Sequence, residues 1–248
     1  MVVSTMQNRF IYLFYALLLN VTSLVGQSEI SAQNKTHFFC IAPSIQTNGF
    51  GINFKWGHAS PATKTNFYSF AIDKIRHQKE FRYIGNGRYN GFVYGRKNVA
   101  IPMKFGFGKA TILGVRNSKN DVGVSWAYHI GASIAMLKPV YLYVEENPGS
   151  LIRNEKLVKY TGENTLDLEN IIGGAPFFVG LHQMKFVPGA YGKLAMIFNW
   201  GKYYTDYHSL EIGFLTEIYA KELPLMASTQ NSFIYPSFYL NWNLGKYW

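Results

Sequence analysis

Residues 50–57 read FGINFKWG, and the order of those eight side chains decides how the rest of the chain is read. Phe50, Ile52, Phe54 and Trp56 are large and apolar, whereas Gly51, Asn53, Lys55 and Gly57 between them are small or polar. A period of two belongs to an extended strand, whose successive side chains point to opposite faces. The same parity returns at Tyr68, Phe70 and Ile72, at Ile101, Met103, Phe105 and Phe107, and at Val122, Val124, Trp126, Tyr128 and Ile130. It returns again at Leu194, Met196, Phe198 and Trp200, at Leu210, Ile212 and Phe214, and at Phe238, Leu240, Trp242 and Leu244, with Ile197 as an exception. In a soluble sandwich the large face would meet a shared core and the other would carry Lys, Glu and Thr. Here the other face is Gly, Ala, Ser and Asn with isolated charges. That division suits a transmembrane barrel, where large residues meet lipid and small polar ones fill a narrow lumen.

Seven strands would leave the termini on opposite sides, and the apolar stretch THFFCIA at 36–42 supplies an eighth, joined to the strand at Phe50 through the hairpin signal Asn48-Gly49. The fold expected is all-β, an eight-stranded antiparallel up-and-down barrel. VYLYV at 140–144 and FVY at 92–94 are the stretches that could raise the count to ten. Connections at 59–65, 114–121 and 201–208 are short and alternate with longer ones at 74–98, 137–187 and 222–233. With the C-terminus periplasmic, these three short connections become periplasmic turns and the longer ones face outside, the tight Asn48-Gly49 hairpin being the one short outside connection. Trp56, Trp126, Trp200 and Trp248 then gather near one rim, as an interfacial aromatic belt requires.

Composition agrees with this class. Of 248 residues 48% are apolar, 17% aromatic and 15% charged, which is too apolar for disorder, and one Cys cannot build a disulfide scaffold. The net charge of +10 is diluted among Tyr, Phe and Gly rather than gathered in Lys/Arg runs, so nucleic acid is not expected as a partner. Residues 10–19 read FIYLFYALLL after Arg9 and before a small, polar stretch, as in a secretory signal peptide; the run is too short to span a bilayer as a helix. The domain organisation expected is a signal peptide at 1–26 and an outer-membrane barrel at 27–248, in a Gram-negative bacterium.

The last strand, FYLNWNLGKYW at 238–248, resembles the assembly signal read by the outer-membrane insertion machinery. TNGFGINFKWG at 47–57, IRHQKE at 75–80, FVYGRKN at 92–98, LKPVYLYV at 137–144, VPGAYGKLAM at 187–196 and KELPLMA at 221–227 resemble an uncharacterised family of Bacteroidota outer-membrane barrel proteins, over nearly the whole mature chain. Gln78 stands where that family tends to have proline. The resemblance implies a barrel and its location, and brings no catalytic residues.

Chemistry-bearing motifs are few. Gly106-Phe107-Gly108 lacks the following helix and fingerprint of a phosphate loop, and the six His show no metal-ligand spacing, so no cofactor or metal is expected. Inward parity collects Lys55, Asp73, Lys104, His129, Lys193, Glu211 and Glu217, expected as a lumenal salt-bridge network, with Tyr191, Tyr235 and Tyr239 as fillers. An outer-membrane enzyme working on lipid or peptide through His129 and Glu211, with Ser125 or Ser209 as nucleophile, is the alternative, and a small-solute or ion channel is another. The 74–98 connection carries seven Lys/Arg against Glu80, fitting a basic rim beside lipopolysaccharide or a protein-docking surface, with Arg82 and Arg88 steering association. In the 137–187 connection Ile171, Ile172, Phe177 and Phe178 are too apolar to stay wet, and are expected to meet a protein partner or fold over the barrel mouth. The function these features favour is a non-enzymatic barrel serving as a structural or accessory subunit of an outer-membrane complex.

Overall fold

The computed structural model describes residues 37–248 apart from 60–63, 78, 85–88, 115–120, 147–154, 162–167, 202–204 and 228–229. The expected signal peptide, Gln78 and Arg88 lie outside the described residues. In chain order the strands are β1 (His37–Gln46), β2 (Gly49–Ala59), β3 (Lys64–Ile75), β4 (Arg82–Tyr83), β5 (Phe92–Val93), β6 (Asn98–Gly114), β7 (Gly123–Pro139), β8 (Tyr141–Glu145), β9 (Glu155–Lys159), β10 (Ile171–Gly174), β11 (Lys185–Asn199), β12 (Asp206–Tyr219) and β13 (Ile234–Tyr247).

Eight of these close into a barrel in the order β1-β2-β3-β6-β7-β11-β12-β13, with β13 returning to β1. Every pairing is antiparallel, so the barrel is a closed meander of eight strands. No ten-stranded barrel forms. Tyr141–Glu145 pairs with β9 and β10 in a separate three-stranded sheet, and Phe92–Val93 pairs only with Arg82–Tyr83. The connection expected at 137–187 is shorter than its sequence bounds, because β7 runs to Pro139 and β11 begins at Lys185, whereas the last one is longer, since β12 ends at Tyr219 and β13 begins at Ile234.

The β1–β2 hairpin turns one residue before the Asn-Gly signal. Gln46 pairs with Gly49, which puts Thr47 and Asn48 at the tip and makes Gly49 a strand residue. Its role there is close approach, since a Cβ on Gly49 would run into the Lys74 carbonyl oxygen of the neighbouring strand.

Parity decides the two faces. Outward-pointing Ile45, Phe50, Ile130, Ile134, Phe238 and Trp242 are all exposed, and residues of the opposite parity such as Ser44, Ser133, Tyr239 and Asn241 are buried in the lumen. A closed wall with a continuous apolar exterior is stable only where that exterior meets hydrocarbon, and strands of 10 to 17 residues suffice for the roughly 9–11 needed to cross a bilayer. The molecule is a membrane-spanning barrel. No helix among the described residues is long and apolar enough to cross; the strands do so.

One end of the barrel, the turn end, carries both chain ends of the barrel, where His37 and Trp248 exchange two backbone hydrogen bonds of 3.1 and 2.9 Å. Trp56, Trp126, Trp200 and Trp248 are exposed on the outer wall towards this end. The long connections leave from the opposite, loop end. There β8, β9 and β10 form a small cap around Phe92, Leu142, Val144, Tyr160 and Ile171, tied to the first long connection by the Asn90–Gly174 bridge. The last connection folds inward, putting Leu223 and Leu225 into the barrel mouth.

Candidate functional site

The lumen is stacked in three layers. At the turn end Phe38, Phe67, Ile197 and Tyr207 fill it, with the Phe38 and Tyr207 rings stacked at 5.0 Å. Ile197, which breaks the pattern of its strand by being large and inward, belongs to this seal. At the loop end Ile75, Leu137, Tyr219, Leu223, Leu225 and Met226 form a second apolar layer.

Between the seals lie the charges. Lys55 from β2 pairs with Glu211 from β12, and its ammonium also donates to Asn243 Oδ1 at 3.1 Å. Glu211 Oε1 accepts from the Tyr239 hydroxyl at 2.7 Å and from Asn241 at 3.4 Å. Lys104 from β6 bridges two carboxylates, Glu217 at 2.7 Å and Asp73. Tyr219 donates to Glu217 and lies 3.1 Å from the Ser133 hydroxyl. Lys193 takes no carboxylate among the described residues; its ammonium stands over the Tyr239 and Tyr191 rings, at 5.1 and 5.7 Å from their centres. Three lysines therefore face three carboxylates in one buried compartment. The balance is what makes the compartment tolerable, because an unpaired buried charge costs several kcal/mol while a well-bonded pair comes close to breaking even.

His129 sits in this layer with Nε2 3.6 Å from Glu211 Oε1, and neither ring nitrogen has a hydrogen-bond partner among the described residues. The serines named with it are not its partners: Ser209 is bonded to Asn243 at 3.1 Å, two strands away from β7. A nucleophile-base-acid relay needs hydrogen bonds of about 2.6–3.2 Å between its members. None links His129 to a serine among the described residues. Beyond the charged residues expected, the network takes in Asn241, bonded to Glu211, and Asn243, bonded to Lys55 and Ser209, while the side-chain amide of Asn53 is buried without a hydrogen-bond partner among the described residues; inward parity on β2 and β13 was the available clue to all three.

Lys55, Lys104, Glu211 and Glu217 are all less than 2% exposed, so the described lumen leaves no water-sized passage beside them. The expected result in planar bilayers is no stable conductance, and a steady open level of porin size would contradict this packing.

The second assembly is a cleft of about 430 Å³ at the loop end, between the outer ends of β3, β6 and β7 and the overhanging cap. Its polar lining includes Lys74, Arg76, Arg82, Arg96 and Lys138, with Glu80 the only acid among the described residues that line it. That acid is engaged. Arg96 grips both Glu80 oxygens, one at 3.0 Å, and the His77 backbone amide donates to the same carboxylate at 3.1 Å. Burial, followed by the neighbouring Arg76 charge, lowers the Arg96 pKa to about 10, which leaves it protonated at neutral pH. Burial and then Lys79 lower His77, which is therefore neutral there. The cleft keeps a strong positive surplus.

No family model and no curated protein matches this chain. Among solved structures it is similar to Ail, the attachment invasion locus protein of Yersinia pestis, solved in complex with the heparin analogue sucrose octasulfate. The match covers 86% of this chain and 97% of that one, with 9% identity and a TM-score of 0.39.

The residues expected to meet a partner separate on the structure. Ile171 is buried in the cap's own core beside Leu142 and Phe92, so it stabilises the cap and presents nothing to a second protein. Ile172 is half-buried. Phe177 and Phe178 are exposed, 51% and 78%, and pack edge-to-face at 5.9 Å. Arg82 is exposed on β4.

Proposed function

We propose that this chain is a non-enzymatic outer-membrane barrel of a Gram-negative bacterium, of the uncharacterised Bacteroidota family it resembles, and that it acts as an accessory or structural subunit whose cap faces outside and binds a protein partner. The observation that carries this reading is the exposed Phe177–Phe178 pair on a folded cap, above a lumen too tightly filled to conduct. Aromatic side chains of this kind anchor interfaces when a partner desolvates them, and cations such as Arg82 at the rim contribute chiefly to steering. Short turns and paired chain ends at the other rim suit the periplasmic side.

The test is purification in mild detergent with cross-linking and mass spectrometry. A defined partner should co-purify and should be lost on Phe177→Ser with Phe178→Ser, while the barrel keeps its heat-modifiable migration on gels. A chain that always runs alone, or that keeps its partner after both replacements, overturns the assignment.

A further inference from the structure

The cations of the cleft do not all belong to the cap. On β3, Ile72 faces outward and Lys74 follows two residues later, directly opposite outward-facing Phe50. On β7, Ala135 and Leu137 point into the lumen, so Lys138, opposite Val99 of β6, projects to the outer side, where the overhanging cap leaves it only 6% exposed. Arg76 lies over the same wall, with its guanidinium 5.2 Å from the centre of the Phe50 ring. Three positive side chains thus top the apolar exterior at its loop end, with Ile52, Ile72, Phe105 and Ile134 exposed below them on the same part of the wall.

The cap closes over this row. Phe177 covers Lys138, whose ammonium is 5.4 Å from its ring centre and, among the described residues, donates to the Pro139 carbonyl at 3.4 Å. Lys74 is within electrostatic range of Arg76, Arg82 and Arg96, and Lys138 of Lys74. Such a group of like charges repels itself. A dianionic oxyanion set among them would remove that repulsion and accept several charge-assisted hydrogen bonds at once. The volume, about 430 Å³, lies within the roughly 300–1,000 Å³ typical of ligand sites.

We propose that this cleft binds the phosphate-bearing headgroup of an outer-leaflet glycolipid, with Lys74, Arg76 and Lys138 on the phosphate and the acyl chains lying along the apolar wall below. The charge of the lining selects phosphate chemistry. Its place directly above an exposed apolar wall selects an amphiphile over a free ion. The proposal rests on the outward-facing cap of the proposed function, but not on any protein partner.

The purified full chain in detergent is titrated with lipopolysaccharide, with the same lipopolysaccharide after enzymatic dephosphorylation, and with inorganic phosphate, and binding is followed by thermophoresis. Intact lipopolysaccharide should bind, and removing its phosphates should weaken it by about tenfold or more for each charge-assisted hydrogen bond that disappears with them. Lys74→Gln, Arg76→Gln and Lys138→Gln should each weaken intact lipopolysaccharide to a similar extent. Lys185→Gln, an exposed cation at the same end outside the cleft, should leave binding unchanged. If a cleft variant fails to migrate as a folded barrel, the dephosphorylated arm on the unaltered chain still decides. Equal binding of both lipopolysaccharides overturns the proposal. So does full competition by inorganic phosphate at its own saturating concentration, which would make this a free-phosphate site. Phe178→Ser, at an exposed residue outside the cleft lining, should leave lipopolysaccharide binding intact even where it releases a co-purifying protein, and that result supports a cleft that works independently of any protein partner.

Discussion

Lys104→Met should destabilise the barrel by about 3–5 kcal/mol, the usual cost of leaving a buried charge without its partner. Lys104 is the shared cation of Asp73 and Glu217, and all three side chains are buried in the lumen. Removing it strands two carboxylates in a compartment between apolar seals, with Lys193 committed to the Tyr191 and Tyr239 rings. Urea unfolding in detergent, read by the shift between folded and unfolded gel mobility, measures the loss. The discriminating comparison is Lys104→Met combined with Asp73→Asn and Glu217→Gln, which removes the charges together. That triple variant should regain most of the lost stability, because neutral groups of similar shape avoid the desolvation cost. If the single and triple variants are equally destabilised, the lysine acts by packing and the charge argument fails.

Phe38→Ala should cost about 3–5 kcal/mol, within the range found when a large aromatic is truncated in a packed interior. Phe38 is 1% exposed and touches the Tyr207, Phe67 and Tyr247 rings, with centre distances of 5.0, 6.4 and 6.1 Å. Its neighbours stand on β3, β12 and β13, so the wall cannot collapse into the space without breaking sheet pairing. The same assay applies, and a matching change on the outer wall, Phe39→Ala, provides the control: Phe39 faces lipid, leaves no cavity and should cost less. Equal losses at the two positions would show that the turn-end layer does not close the lumen.

Much of the architecture was legible along the chain because a strand's facing is a local property. Once Phe50 pointed out, Asn53 and Lys55 had to point in, and the same rule put Glu211, Glu217, His129 and Lys193 in the lumen without any knowledge of their neighbours. Strand count was less secure. Val140 to Val144 carry the alternation of a barrel strand, and only the available pairing edges decide that Tyr141–Glu145 joins β9 and β10 instead. The Asn-Gly hairpin signal located the turn to within one residue, and the crowding of Gly49 against β3 set its register.

By itself, then, the sequence determined the barrel, its apolar exterior and the membership of its polar lumen, since each follows from period two and side-chain chemistry. Closure of the barrel decided who meets whom. Lys55 and Glu211 are 156 positions apart and pair only because β2 and β12 face one another across the lumen. Ile171, apolar in a long connection, could as well have met a partner until the cap folded around it. The cationic cleft is the strongest instance: Lys74 and Lys138 come from strands that do not pair, Arg82 and Arg96 from the connection after β3, and Phe177 from the cap. Each is unremarkable in its own segment, and their shared electrostatics exist only where three strand ends and a folded cap enclose one space.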